Sequence, residues 1–224
     1  MTRTGGRTNR EPLRLAVLIS GGGTTLANLA DAINRGELPA QISAVISSND
    51  RAYGLKRAGK LDLPAFVVPR KRSKSPGEFS DLVFGLVRDV QAELVCLAGF
   101  LSLLVIPDDY AHRVINIHPA LLPSFGGKGM YGRRVHEAVL AAGCKVSGCT
   151  VHLCDQTYDT GPIIVQRCCQ VREDDTPQTL AARVFEQECI AYPQAIRLFA
   201  EGRVRLDGRR VQILDAGSSR LSPA

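Results

Sequence analysis

The run Leu13–Ile19 constrains this chain more than any other stretch, because its near-continuous apolar text marks a strand buried on both faces of a parallel sheet. Ser20-Gly21-Gly22-Gly23-Thr24-Thr25 follows at once, and residues 26–33 then take helical spacing. A strand, a glycine-rich turn and a helix start bring backbone N–H groups and hydroxyls to one point, where the glycines let a phosphate approach. The same text also serves a plain turn that uses glycine only for its geometry. A dinucleotide fingerprint would carry a third glycine where this chain has Leu26. Two threonines at the helix start suit a terminal phosphate monoester better than a buried pyrophosphate.

The alternation of strand and helix signals continues. Residues 42–47 and 65–68 read as strands, with a helix over Tyr53–Lys60 between them. A basic, polar loop at 69–77 leads to an amphipathic helix over 78–91, with Phe79, Leu82, Val83, Leu86, Val87 and Val90 on one stripe. Residues 94–98 form a fourth strand and run into Gly99-Phe100-Leu101-Ser102-Leu103-Leu104. Apolar text just past a strand's carboxyl end is where open α/β sheets bind ligands, and here it suits a flat heteroaromatic ring. Ordinary hydrophobic core is the competing reading.

Residues 114–117 then give a short buried strand that delivers Asn116 and His118 two apart, on one face. Pro119 and Pro123 bracket the following segment and end the strand. A neutral amide polarises a carbonyl oxygen and an imidazole moves protons, so the pair serves carbonyl chemistry. A structural histidine beside a hydrogen-bonded amide would read the same way. Residues 124–132 are a glycine-rich loop expected to be mobile and near this pair. A helix over 133–142 carries His136, read as a surface or helix-packing histidine. Two strands, 149–154 and 162–170, are joined by Asp155-Gln156-Thr157-Tyr158-Asp159-Thr160-Gly161. A carboxylate from that loop held against His118 would raise its pKa, although aspartate in a turn commonly serves the turn itself. A long helix over 176–200 holds Glu186 and Glu188, and 204–214 reads as a hairpin around Asp207-Gly208.

These elements define an α/β class: a Rossmann-like, open, mostly parallel twisted sheet flanked by helices, with a C-terminal antiparallel extension. At 224 residues with 45% hydrophobic content, one such domain over 13–214 can bury its core. Residues 1–12 are expected to be a disordered extension and 215–224 a loose tail. The absence of Trp and an aromatic content of 5% argue against a nucleic-acid reader that stacks bases. The net charge of +6 collects in the first residues, at 70–74 and at 203–210, which suits small anionic ligands or an ordinary solvated surface. No run reaches membrane-spanning length, and the start has no apolar core of a signal peptide, so no membrane is expected. Seven cysteines without a Cys-x-x-Cys pair suit a reducing cytoplasm and no structural metal.

Four segments together carry a resemblance. Ile19-Ser20-Gly21-Gly22-Gly23-Thr24-Thr25-Leu26, Leu97-Ala98-Gly99-Phe100, Ile115-Asn116-Ile117-His118-Pro119-Ala120-Leu121-Leu122-Pro123 and Asp159-Thr160-Gly161-Pro162-Ile163-Ile164 resemble phosphoribosylglycinamide formyltransferase of the folate-dependent formyltransferase superfamily. The resemblance runs in order over 13–214. It implies transfer of a formyl group from the cosubstrate 10-formyltetrahydrofolate to the amine of 5-phosphoribosylglycinamide in de novo purine biosynthesis, without a metal. It implies Gly23, Thr24 and Thr25 as the phosphate cradle, and Glu188 with its neighbours from Phe185 as contacts to the ribose and glycinamide. Leu101, Ser102, Leu103, Leu104, Asn116, Asp155, Gln156, Thr157, Tyr158 and Asp159 are implied as folate-site residues. Asn116 would stabilise the oxyanion, His118 would move the proton, and Asp159 would orient His118. The chain departs from the family in having Thr25 at a position where asparagine is frequent and no arginine in 101–104. Arg72 or Lys74 is the expected substitute for another family arginine near position 76. A homodimer is left open. The rival readings are a formyltetrahydrofolate deformylase or a methionyl-tRNA formyltransferase, for whose additional domains this length leaves no room, and a dinucleotide-binding or non-enzymatic α/β module.

Overall fold

Strand β1 (Leu13–Ile19) lies in the interior of a seven-stranded sheet, third in its order, and Leu15 to Ile19 have no exposed surface. The computed structural model describes residues 11–215, so most of the expected N-terminal extension and residues 216–224 of the expected tail lie outside the described residues. β1 pairs in parallel with β2 (Ala40–Ser47) on one side and with β4 (Leu94–Leu97) on the other. β3 (Ala65–Val67) extends the sheet beyond β2, and β5 (Val114–His118) extends it beyond β4, both in parallel. The antiparallel strands β6 (Val146–Leu153) and β7 (Ile163–Gln170) complete the order β3-β2-β1-β4-β5-β6-β7. A separate antiparallel hairpin, β8 (Val204–Asp207) with β9 (Arg210–Ile213), forms the C-terminal extension. The fold is the α/β class expected from the alternation of apolar runs.

Helices cover both faces, which is why β1 is apolar on both. Leu15, Val17 and Ile19 face one core with Leu26 and Leu29 of α1 (Thr24–Asn34) and Leu180, Val184 and Ile196 of α5 (Pro177–Ala200). Ala16 and Leu18, one step out of phase, face the other with Phe79, Val83, Phe84 and Val87 of α3 (Pro76–Asp89). α3 starts two residues before the expected Glu78 because Ser75 Oγ caps it, accepting from the Glu78 N–H at 3.1 Å, with Pro76 at the first helical position. Tyr192 is wholly buried, and its hydroxyl reaches the carbonyls of Leu97 at 3.0 Å and Ile115 at 3.2 Å, so α5 is fastened to β4 and β5. All seven cysteines are free. No helix among the described residues is long and apolar enough to cross a membrane.

The strand order fixes where a ligand can bind. From β1 the chain moves outward to β2 and β3, then returns to β4 on the other side of β1. A crevice opens at the carboxyl ends of such diverging neighbours. Here the two ends are tied: Ser20 N–H donates to the Gly99 carbonyl at 3.1 Å, and Leu101 N–H donates to Ser20 Oγ at 3.0 Å.

The glycine turn is also held from its outer side. α2 (Tyr53–Lys60) approaches so closely that a Cβ on Gly23 would lie 2.6 Å from the Gly54 Cα, and Gly23 has a left-handed φ of +74°. Arg57 Nε donates to the Gly22 carbonyl at 3.0 Å. Gly23→Ala therefore meets both a disfavoured φ and a backbone clash. We expect a loss of about 2–4 kcal/mol, combining the two forms of strain. A melting temperature within one degree of the unchanged protein would show that the turn tolerates a side chain.

Candidate active site

A cavity of about 830 Å³ occupies the crevice. Thr24 and Thr25 of α1 line one side, Leu101 to Leu104 another, and Asn116 and His118 of β5 its floor. Asn116 and His118 share a face, as their spacing requires. Gly23 caps α1 in its left-handed conformation and is not itself a lining residue, so it shapes the turn while the threonines meet the cavity. Glu188 enters from α5, and burial pushes its carboxyl up to about 7. Asp155, Thr157, Tyr158 and Asp159 line the cavity from the loop between β6 and β7.

Gln156 is placed differently. It exchanges hydrogen bonds with the backbone of Ile106, donating to its carbonyl at 3.0 Å and accepting from its N–H at 3.4 Å. It thus ties the apolar wall to the aspartate loop and lines an adjoining groove instead of the main cavity. That groove also takes Arg70 and Lys128, whereas Arg72 and Lys74, the residues expected to reach this region, do not line it. The 3₁₀ turn Arg70–Arg72 decides this by sending Arg70 over the Phe79 ring, 5.6 Å from its centroid.

Asp159 is the hub of the floor. Its backbone has a φ of +57°, and Gly161 two residues on passes against the Leu153 carbonyl where no Cβ fits. Oδ2 lies 3.5 Å from His118 Nδ1 and accepts from the Gly127 N–H at 2.9 Å. Oδ1 accepts from Asn116 Nδ2 at 3.4 Å. Gly126 packs against Asp159 so closely that a Cβ there would lie 3.2 Å from the aspartate's own. The glycine-rich segment is therefore joined to the carboxylate, and residues 127–132 line the cavity.

The electrostatics correct one expectation. His118 is 3% exposed, and burial holds its pKa below the ordinary imidazole value. Asp159 and the Phe125 carbonyl, which accepts from Nε2 at 2.8 Å, pull upward, and His152 adds to the lowering. Asp159 does favour the imidazolium, as expected of a facing carboxylate, but desolvation outweighs it. The resting ring is neutral at pH 7. For Asp159 burial acts upward, but His152, His118 and the Gly127 N–H together leave the carboxyl below its usual range.

His152 is the residue that reading by sequence misses. It pairs directly opposite Asn116 across the antiparallel β5–β6 ladder and is 2% exposed. Its Nδ1 donates to the Leu153 carbonyl at 2.8 Å, and its Nε2 lies 3.1 Å from Asn116 Nδ2. The same Nε2 lies 3.6 Å from Asp159 Oδ1. Period-two alternation could place His152 on a face, but only the strand register shows that Asn116 lies across from it. Of the two expectations for His136, a surface or a helix-packing residue, the second holds: it is 4% exposed, on a helix packed against α5, and it also lines the cavity. Among the described residues no group of three or more His, Cys, Asp or Glu side chains could hold a metal ion.

A half-buried amide, a buried imidazole and a carboxylate at one end of an open sheet are suited to acyl-group chemistry, and comparison with known proteins agrees. The formyl transferase family matches residues 13–196. The chain is 35% identical over 199 residues to the chloroplastic phosphoribosylglycinamide formyltransferase of Vigna unguiculata, covering 87% of this chain and 64% of that one. The chain thus spans just under two thirds of that relative's length. The crystal structure of glycinamide ribonucleotide transformylase 1 from Symbiobacterium toebii superposes with a TM-score of 0.86 at 40% identity, covering 92% of this chain and 95% of that one. A formyltetrahydrofolate deformylase from Pseudomonas syringae superposes with a TM-score of 0.81 at 28% identity, covering 91% of this chain and 66% of that one. With the family matched over most of its length and the same enzyme named in both sequence and structure, this chain belongs to the phosphoribosylglycinamide formyltransferases of the formyl transferase family.

Proposed function

We propose that this protein transfers the formyl group of 10-formyltetrahydrofolate to the amine of 5-phosphoribosylglycinamide, giving formylglycinamide ribonucleotide and tetrahydrofolate in purine biosynthesis. The observation that carries the reading is the convergence of Asn116, His118 and Asp159 on one cavity floor between a glycine turn and an apolar wall. In this reading the formyltransferase domain spans 13–214. The backbone at Gly23 and the hydroxyls of Thr24 and Thr25 hold the ribonucleotide phosphate, and Glu188 meets the sugar and glycinamide. Leu101 to Leu104 and the loop from Asp155 to Asp159 enclose the folate, with Gln156 acting through Ile106. An enzyme with these small substrates and seven free thiols suits a reducing cytoplasm.

The amine attacks the formyl carbon, and the carbonyl π pair moves to oxygen. Asn116 Nδ2 stabilises that oxyanion by turning the proton it shares with Asp159 at 3.4 Å, the longer of its two contacts. His118 begins neutral and accepts the proton that the attacking amine must lose. Asp159 stabilises the imidazolium as it forms. The C–N10 bond then breaks, the formyl C=O reforms, and the proton passes to N10. Holding the two substrates together supplies much of the rate.

The test is a spectrophotometric assay with 10-formyltetrahydrofolate, with and without the ribonucleotide. Folate product that appears only with the ribonucleotide supports the transferase. Formate released without it selects the deformylase, the second reading, which the fold of the Pseudomonas syringae enzyme keeps in view.

A further inference from the structure

We infer that His136 is an additional binding residue for the ribonucleotide, meeting a sugar hydroxyl with a neutral imidazole. This rests on the reading of the cavity just given and assigns one more contact within it. His136 stands in α4 (Arg133–Ala141), is 4% exposed and lines the cavity. Among the described residues no hydrogen bond reaches its ring, and Nδ1 is closed off from solvent without a partner. Buried polar atoms are nearly always partnered, so an orphan in a cavity wall calls for a ligand or a water. Ser147 Oγ is the other orphaned side-chain atom among the described residues, and it does not line this cavity.

The position selects the substrate. α4 packs on α5, and α5 on α1. α1 and α5 bring Thr24, Thr25, Gln178 and Glu188 to the cavity, and Leu26 of α1, Val139 of α4 and Leu180 of α5 share one core, whereas Phe100 and Leu104 of the apolar wall belong to the core on the other face of the sheet. The chemistry selects the group. Burial, and the nearby His118, hold His136 below the ordinary imidazole value, so the ring carries one donor and one acceptor at pH 7. A hydroxyl also donates and accepts, whereas a phosphate would face a nitrogen lone pair. Among the described residues no carboxylate is within ion-pair distance of His136, unlike His118 and His152, so it binds and does not relay protons.

Calorimetric titration of 5-phosphoribosylglycinamide into the unchanged protein and into His136→Ala, His136→Asn and His136→Gln tests this, with KM for 10-formyltetrahydrofolate measured alongside. We expect the alanine variant to bind the ribonucleotide roughly five- to tenfold more weakly, the loss of one hydrogen bond, with folate KM within twofold. One amide variant should recover most of the affinity: asparagine reaches the place of Nδ1, glutamine that of Nε2. Undiminished affinity in the alanine variant overturns the inference. So does parallel loss of both affinities with a lowered melting temperature and no rescue by either amide. If the unchanged protein itself binds no ribonucleotide, the functional reading fails and this assignment with it, a result distinct from a change confined to the variants.

Discussion

His118→Ala is expected to lower turnover by roughly 10²–10⁴-fold, the range for loss of a positioned acid–base group, while both substrates continue to bind. The ring is 3% exposed; its Nε2 donates to the Phe125 carbonyl at 2.8 Å and its Nδ1 faces Asp159 Oδ2 at 3.5 Å. Each of those partners is an acceptor, so the surroundings are ready for a ring that gains a proton. Burial keeps that proton off until the reaction supplies it. A neutral resting ring with a prepared imidazolium site is what a group needs that takes a proton from the attacking amine and returns it to N10. Truncation leaves the oxyanion contact and the proximity of the substrates intact, so residual turnover should remain. The measurement is kcat with both substrates saturating, together with a melting curve. Turnover within a factor of two of the unchanged protein would remove His118 from the mechanism.

The parts of this site that sequence makes legible are those set by local spacing. Asn116 and His118 share a face because a strand repeats every two residues. The glycine turn follows β1 because a parallel strand must hand over to a helix. Asp159 was legible as a candidate because its loop follows a strand, but its contact with His118 depends on how that loop folds back. His152 stayed hidden because its meaning comes from the antiparallel register opposite Asn116, between residues 36 positions apart. The sign of the His118 shift is not legible in the sequence for a related reason: a facing carboxylate can be anticipated, whereas the depth of burial that outweighs it is a property of the whole fold. For His136 the sequence leaves surface and helix packing open, because the packing of its helix against α5 is specified by no local pattern. Arg70 replaced Arg72 and Lys74 at the groove through a single 3₁₀ turn, a detail below the reach of spacing.

Asp159→Asn should be nearly as costly as loss of the histidine, with kcat lower by roughly 10²–10³-fold, and its pH profile separates its two roles. The substitution keeps the shape of the side chain, and the amide oxygen can still accept from the Gly127 N–H, now 2.9 Å from Oδ2. What is lost is the negative charge beside His118, which opposes burial and supports the imidazolium during transfer. The sign follows directly. Asp159 raises the His118 pKa, and burial and His152 lower it, so without the carboxylate the pKa falls further. Attack requires the neutral ring, so the acid limb of kcat/KM, which reports that pKa in the free enzyme, should move to lower pH in the variant. Turnover nevertheless falls, because a base with a lower pKa accepts the amine proton less readily and the imidazolium forms without a counter-charge. Asp159→Ala should add a drop in melting temperature, since it also removes the acceptor of the Gly127 N–H. An acid limb that stays in place, or moves upward, in an active Asp159→Asn variant would mean that the carboxylate holds the loop and does not tune the histidine.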